Sequence, residues 1–324
     1  MTSGVLPGAL LSGVLLAAGE TMAVVTPLDA EPVEGAETFR IDAGGAESNV
    51  AAHVAAMGQR ARWLSRVGDD PLGRRVCARI AARGVDVTPV IVDAAHRTGL
   101  YVKDPGRGVH YYRDGSAAAH LSPADAEAVS LDDVSVVHVS GITAALGRSP
   151  HGGTAPSFLD ALIARARSVG IPVSFDVNHR AALWPAAEAA PVLLDLARRA
   201  DIVFVGRDEA ETLWGAGAAA DIRALLPHVA EVVVKDGDVG ATVFAGADEQ
   251  FVRAHRIDVV EAVGAGDAFA GGYLVGRLSG APLAERLQAG HDRAALTLAT
   301  TADFPDAAST PFLPGTALTE SDRA

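Results

Sequence analysis

From about residue 130 onward the chain alternates short apolar runs with amphipathic stretches. The runs read VSVVHVSG, IPVSFDVN, ADIVFVG and EVVVKDG. Between them, APSFLDALIARARSVG and PVLLDLARRA carry apolar residues at helical spacing. Strands that are apolar on both sides must be covered on both sides, which predicts βαβ units and a mainly parallel sheet between helices, an α/β fold. Residues 10–18 predict a first core strand, and AESNVAAHVAAMGQRA and DDPLGRRVCARIAARGV predict earlier helices of the same layers. No fixed-period repeat is present.

Residues 20–45 and 88–115 follow a different pattern. TMAVVTPL, TFRIDAGG, TGLYVKD and GVHYYRDGS alternate and are bounded by Gly, Pro and Asp, which predicts short strands of a small β layer beside the main sheet. Residues 303–324, rich in Pro, Thr and Ala, predict a mobile tail.

Composition narrows the function classes. A net charge of -13 over 324 residues disfavours nucleic-acid binding, so an anionic substrate needs a local cluster of arginines. Cys77 is the single cysteine, which fits a reducing cytoplasm. The apolar start MTSGVLPGALLSGVLLAAGE lacks the positive flank of a signal peptide, and it is too short and too interrupted to span a membrane. His138, His179 and His255 show no ligand-like spacing and read as structural or surface residues, Trp63, Trp184 and Trp214 as core or rim aromatics, and Cys77 as a buried apolar group.

Candidate chemistry concentrates at EAVGAGDAFAGG, residues 261–272. A glycine turn opening a helix favours an anion, because free N–H groups and the helix dipole both point at it. Asp267 beside that turn would repel the same anion. The P-loop triplet and the dinucleotide fingerprint are both missing, since Phe269 stands where the latter needs a small residue. By itself the stretch also fits a tight turn with an aspartate favouring a helix start.

Together with other stretches along most of the chain, this turn resembles the catalytic signature of the ribokinase-like (phosphofructokinase B) sugar kinases. The resemblance implies a three-layer α/β/α kinase domain over residues 10–302, with a small β lid from residues 20–45 and 88–115. It implies that Asp267 takes the proton of a sugar hydroxyl while Gly264, Ala265 and Gly266 stabilise charge on the transferred phosphoryl group. GGAESNVAAHVAAMGQRARWLSRVGDDPLGRRV resembles the second family signature, which implies Gly45 and Asn49 near the sugar. VGRDEAETLWG implies Glu209 in the magnesium network through water, and VVVKDGDVGATVF implies Lys235 and Gly237 beside the nucleotide. ATP and Mg²⁺ are the implied cofactors, and contacts through the lid imply a homo-oligomer.

HYYRDGSAAAHLSP and SFDVNHRAALW resemble the 2-keto-3-deoxygluconate kinase branch. By position this implies a keto sugar acid held by Tyr101, Tyr111, Arg113 and Arg180. Arginine's donor fork matches a carboxylate, and a charged hydrogen bond contributes about 1.5–3 kcal/mol. Surface ion pairing of both arginines, a neutral substrate such as fructose, ribose or a nucleoside, and a non-catalytic sugar-acid sensor on the same fold stay open. Two departures stand out. Glu261, Ala262 and Val263 replace the Asp-Thr-Thr or Asp-Ser-Thr usual before the turn, which puts monovalent-cation activation in question. His291 replaces a common adenine-side Asn.

Overall fold

The computed structural model describes residues 13–29, 31–148, 152–300 and 304. Along them β1 (Val14–Ala18), β2 (Met22–Pro27) and β3 (Phe39–Gly44) precede α1 (Ala46–Ala56), and β4 (Arg60–Leu64) and β5 (Arg66–Gly68) precede α2 (Pro71–Ala82). There follow β6 (Ile91–Asp93), β7 (Leu100–Asp104), β8 (Gly108–Tyr112), α3 (Pro123–Ala128), β9 (Val134–Ser140) and α4 (Gly141–Ala145). The second half runs α5 (Ala155–Ser168), β10 (Val173–Asp176), α6 (Ala186–Arg199), β11 (Ile202–Gly206), α7 (Arg207–Trp214) and α8 (Ala219–Leu225). It closes with β12 (Glu231–Asp236), β13 (Gly240–Ala245), β14 (Asp248–Arg253), α9 (Ala265–Leu278) and α10 (Leu283–Leu298).

Among the described residues the main sheet has eight strands in the order β14-β13-β12-β11-β10-β9-β1-β4. From β4 to β12 every pairing is parallel, and β13 and β14 add an antiparallel edge. Successive side chains of a strand point to opposite faces. Leu16 and Ala18 of β1 therefore pack into a core with α5 and α6, and Leu15 and Ala17 into a second core with α1, α2 and α9. The fold is a three-layer α/β/α sandwich around a mainly parallel sheet.

A separate four-stranded sheet, β3-β2-β7-β8, draws its strands from residues 22–44 and 100–112, and β6 pairs instead with β5. Three details correct the sequence reading. The first strand spans Val14–Ala18, residues 10–12 lying outside the described residues. The helix expected across AESNVAAHVAAMGQRA ends at Ala56, and β4 begins at Arg60. Cys77 is half-buried, its thiol pKa raised by that burial. The tail call lies outside the described residues except at Phe304, which is buried against the rings and guanidinium groups of His53, Arg83 and Arg293.

Candidate active site

A cavity of about 870 Å³ opens where the parallel strands end, between the main and small sheets. Chain leaving the carboxyl ends of a parallel sheet turns over its edge, so residues just past the strands converge there. β1 is followed by Glu20, β10 ends in Asp176 and leads to Asn178 and Arg180, β11 leads to Glu209, and β12 contributes Lys235 and Gly237. From the small sheet come Met22, Tyr101, Lys103, Val109 and Tyr111.

The glycine turn forms the floor. Gly264, the residue before α9, has φ 83°, a left-handed conformation that a side chain would strain. The Ala265 N–H closes the turn onto the Ala262 carbonyl at 3.3 Å, and the first α-helical bond runs from Ala268 to Gly264 at 2.9 Å. A helix offers no internal acceptor for its first-turn N–H groups, which leaves those of Gly266 and Asp267 for a ligand. Of the three expected anion donors, Ala265 is the one already engaged, and it does not line the cavity.

Asp267 stands in the first turn of α9, nine-tenths buried. Asn49 on α1 donates to its Oδ2 at 2.9 Å. Burial pushes the Asp267 pKa up to about 7, the nearby Asp176 carboxylate adds to the rise, and Asn49, Arg180 and Lys235 oppose it. Such a carboxyl is poised to take a proton near neutrality. Gly45, at the N-terminus of α1, is required by close approach, since a Cβ there would collide with the Glu20 carbonyl. It brings the backbone of α1 against the end of β1 and so aims Asn49 at Asp267.

Lys235 lies at the Asp267 end of the cavity. Its Nζ bonds both oxygens of Asp176, at 3.0 and 3.2 Å. A Cβ on Gly266 would lie 3.5 Å from that ammonium, so the glycine turn passes directly over it. Burial alone would lower the lysine pKa, but the carboxylates of Asp176, Glu209 and Asp267 raise it. Lys235 thus sits among carboxylates at the same cavity as the glycine turn. Gly237, with φ 49°, turns the chain from β12 to β13 at the cavity wall.

Glu209 also lines the cavity, with one oxygen accepting from the His179 N–H and the other from the Gly206 N–H at 3.1 Å. Burial and the neighbouring Asp176 raise its pKa. Among the described residues no three His, Cys, Asp or Glu side chains form a metal cage. A magnesium ion accompanying a nucleotide fits such a place, since it keeps several waters and takes phosphate oxygens.

At the opposite end, Tyr101 and Tyr111 place their rings 5.7 Å apart on the small sheet. Arg113 is buried there and ion-paired with Glu20, which also accepts from Ser116 at 2.5 Å. Arg113, which the resemblance assigns to the sugar acid, is therefore already neutralised by Glu20. Its Nε is nevertheless buried without an acceptor, as are the Oδ1 atoms of Asn49 and Asn178 lacking a donor, so polar capacity around the cavity is unused. Arg180 is exposed at the cavity and forms no salt bridge among the described residues.

His291 does not line the cavity. Its ring is buried edge-on to Phe269, with Nε2 3.1 Å from the Val252 carbonyl oxygen, so its expected nucleotide contact is corrected to a packing role. His138 bonds Ser174 inside the sheet, its pKa lowered to about 4 by burial. His255 pairs with Asp292 at the surface. His179 does line the cavity, and its ring is held by the Trp184 carbonyl.

Residues 15–305 match the family model described as pfkB family carbohydrate kinase. The chain belongs to that family. It is 35% identical to a 2-dehydro-3-deoxygluconokinase of Bacillus subtilis, over 88% of this chain and 90% of that protein. It is 34% identical to Fructokinase-1 of Oryza sativa subsp. japonica, over 71% and 72%. A 2-dehydro-3-deoxygluconokinase structure from Thermotoga maritima superposes with a TM-score of 0.81 at 26% identity, covering 90% of this chain and 94% of that one.

In this pfkB family kinase the cavity residues that sequence reasoning passed over include Glu20, Lys103 and Asp176. Glu20 and Asp176 carry a usable signal. Asp176 ends the buried strand β10 and Glu20 follows the buried strand β1 by two residues, where nothing in the strand's own packing calls for charge.

Proposed function

We propose that this carbohydrate kinase transfers the γ-phosphoryl group of ATP to the terminal hydroxyl of a keto sugar acid, 2-keto-3-deoxygluconate or a close relative. One observation carries the substrate class: Arg180 stands at the cavity beside Asp267 with no carboxylate paired to it among the described residues. A substrate carboxylate supplies that partner. The relatives named for 2-dehydro-3-deoxygluconate support the same choice.

The sugar lies between the tyrosine pair and Asp267, and the triphosphate runs across the Gly264–Gly266 turn. The hydroxyl oxygen attacks the γ-phosphorus as its proton passes to Asp267. The bond to the bridging oxygen breaks, and ADP leaves with that electron pair. First-turn N–H groups and Lys235 meet charge on the transferred oxygens, which is the main demand of phosphoryl transfer. Magnesium supplies charge neutralisation on the nucleotide phosphates, and Asp176 and Glu209 are the carboxylates that would hold it, through water. The small sheet acts as a lid that excludes water from the reacting groups. Leu28 and Tyr112 at that sheet, 60% and 64% exposed, support homo-oligomer contacts through the lid. A cytoplasmic location is consistent with the single cysteine, and no helix among the described residues is long and apolar enough to cross a membrane.

A second reading, phosphorylation of a neutral ketose, draws on the Glu20–Arg113 pair, which leaves hydrogen-bonding groups without net charge at the sugar end. ATP consumption with 2-keto-3-deoxygluconate, its galactonate epimer, fructose and ribose separates the two. For a sugar acid, Arg180→Ala should raise the KM about 10- to 100-fold and leave the KM for ATP nearly unchanged. Turnover confined to neutral sugars, with Arg180→Ala silent, would reject the acid assignment while keeping the kinase.

A further inference from the structure

Lys103, on β7 of the small sheet, reaches across the cavity mouth to Glu261, with Nζ 2.9 Å from Oε1. The pair is mostly withdrawn from solvent, with side-chain exposures of 12% and 27%. Glu261 lies three residues before Gly264, in a segment that follows β14 and belongs to no helix or strand. Backbone bonds from Val260, at 2.8 Å, and Glu261, at 3.5 Å, to the Leu298 carbonyl tie this segment to the end of α10. Beyond those bonds Ala262 and Val263 are exposed, and the chain then enters the left-handed turn at Gly264.

We propose that the Lys103–Glu261 ion pair is a latch between the small sheet and the phosphate-binding turn, and that both residues are positioning residues for phosphoryl transfer. The inference rests on residues 264–267 being the phosphate turn and base, and it holds for whichever sugar the kinase accepts. The physical reason lies in where the two ends are fastened. Lys103 neighbours Tyr101 and pairs across the ladder with Val109, both at the cavity, so its strand moves with the sugar-facing surface. Glu261 holds the approach to a turn whose N–H groups must face phosphate oxygens. With the ion pair made, the position of the small sheet and the shape of the turn are set together. With it broken, the sheet can close on a sugar while the turn remains unaligned. Misplacement of reacting groups by about 1 Å can cost about 100-fold in rate.

The test compares Lys103→Met, Glu261→Gln and the charge-reversed double variant Lys103→Glu/Glu261→Lys, each assayed with the sugar that wild type turns over fastest. The latch predicts that each single variant loses about 10-fold in kcat, with the KM for sugar changed less than kcat. It predicts a larger share of ATP hydrolysed without sugar transfer and restoration by the double variant. Amide exchange of residues 258–266 should quicken in both single variants at an unchanged melting temperature, a readout that does not depend on the double variant folding. A raised sugar KM in Lys103→Met with Glu261→Gln silent would overturn the latch and make Lys103 a sugar contact. Unchanged kcat in both single variants, or unchanged exchange, would equally overturn it. Asp267→Asn serves as the control: if that variant keeps its turnover, the turn assignment has failed rather than the latch.

Discussion

Two helices of this kinase begin with an aspartate near a glycine-rich turn, and the two carboxylates behave in opposite ways. Asp70 precedes α2 in VGDDPLG and is fully engaged, with Oδ1 accepting from Gly73 N–H at 2.8 Å and Oδ2 from Thr98 N–H at 2.9 Å. Burial acts to raise its pKa, but those backbone donors outweigh it and hold the pKa below the usual range. Asp267 in the first turn of α9 receives one side-chain donor, Asn49, beside another buried carboxylate, and its pKa rises to about 7. One motif half is thus a clip between α2 and the entry to β7. The other is a carboxyl with a single side-chain donor, facing a cavity. Counting donors separates structure from chemistry where residue type does not, Asp70 standing at the N-cap of α2 and Asp267 two residues inside α9.

The largest effect that sharpens this contrast is expected at Asp267. Asp267→Asn should lower kcat by at least about 10²- to 10⁴-fold, because the proposed base is lost. The same variant should melt a few degrees higher at pH 8, since a buried charge is removed. The signs with pH follow. The folded pKa of Asp267 lies above its ordinary 3.8, so the folded protein binds more protons and stability falls as pH rises from about 4 through about 7. In wild type kcat/KM should fall as pH drops below about 7, and in Asp267→Asn the stability slope over that window should flatten. A melting temperature for Asp267→Asn below wild type at pH 8 would break the claim of a charge disfavoured by burial.

An intermediate effect is expected from Asn49→Ala. Loss of a donor to a carboxylate of this kind costs about 1.5–3 kcal/mol, equivalent to roughly one to two pKa units. The acid limb of kcat/KM should therefore shift upward by about one unit, with kcat at pH 9 much less affected. A limb that stays in place would remove Asn49 from the tuning of Asp267.

The smallest effect on activity is expected from Asp70→Ala. Loss of this cap should cost about 1–2 kcal/mol, a fall in melting temperature of roughly 2–8 °C, with kcat within about twofold of wild type. The loss should be fully seen above the ordinary carboxylate pKa and fade as pH falls from there through the lower folded pKa, the reverse of the Asp267 slope. A large loss of kcat at full stability would mean that both motif halves are functional.

The site was partly legible in the chain. VGAGD announces an anion turn with a carboxylate, and SFDVN, IVFVG and EVVVKDG announce strands whose ends must share one edge. Lys235 was legible as a site residue but its counter-ion was not, because Asp176 lies 59 positions away and only strand order makes them neighbours. Arg113 was legible as a buried-site cation, yet Glu20, which neutralises it, comes from the end of β1, and no local pattern couples the two. His291 shows the converse: a position in a motif assigned it to the nucleotide, while packing against Phe269 turned its ring inward.

The order of apolar and polar residues by itself determined the layers of this protein, since burial is set by side-chain type and by the 2-residue and 3.6-residue periods of strand and helix. Glycine positions determined where backbone could turn left-handed or approach closely, as at Gly264 and Gly45. Only the tertiary structure decided the charge state of Asp267, the counter-ions of Lys235 and Arg113, and the bridge from Lys103 to Glu261. Those properties depend on distances of a few ångströms between side chains far apart in the chain, and the electrostatic energy of a buried group changes steeply over such distances.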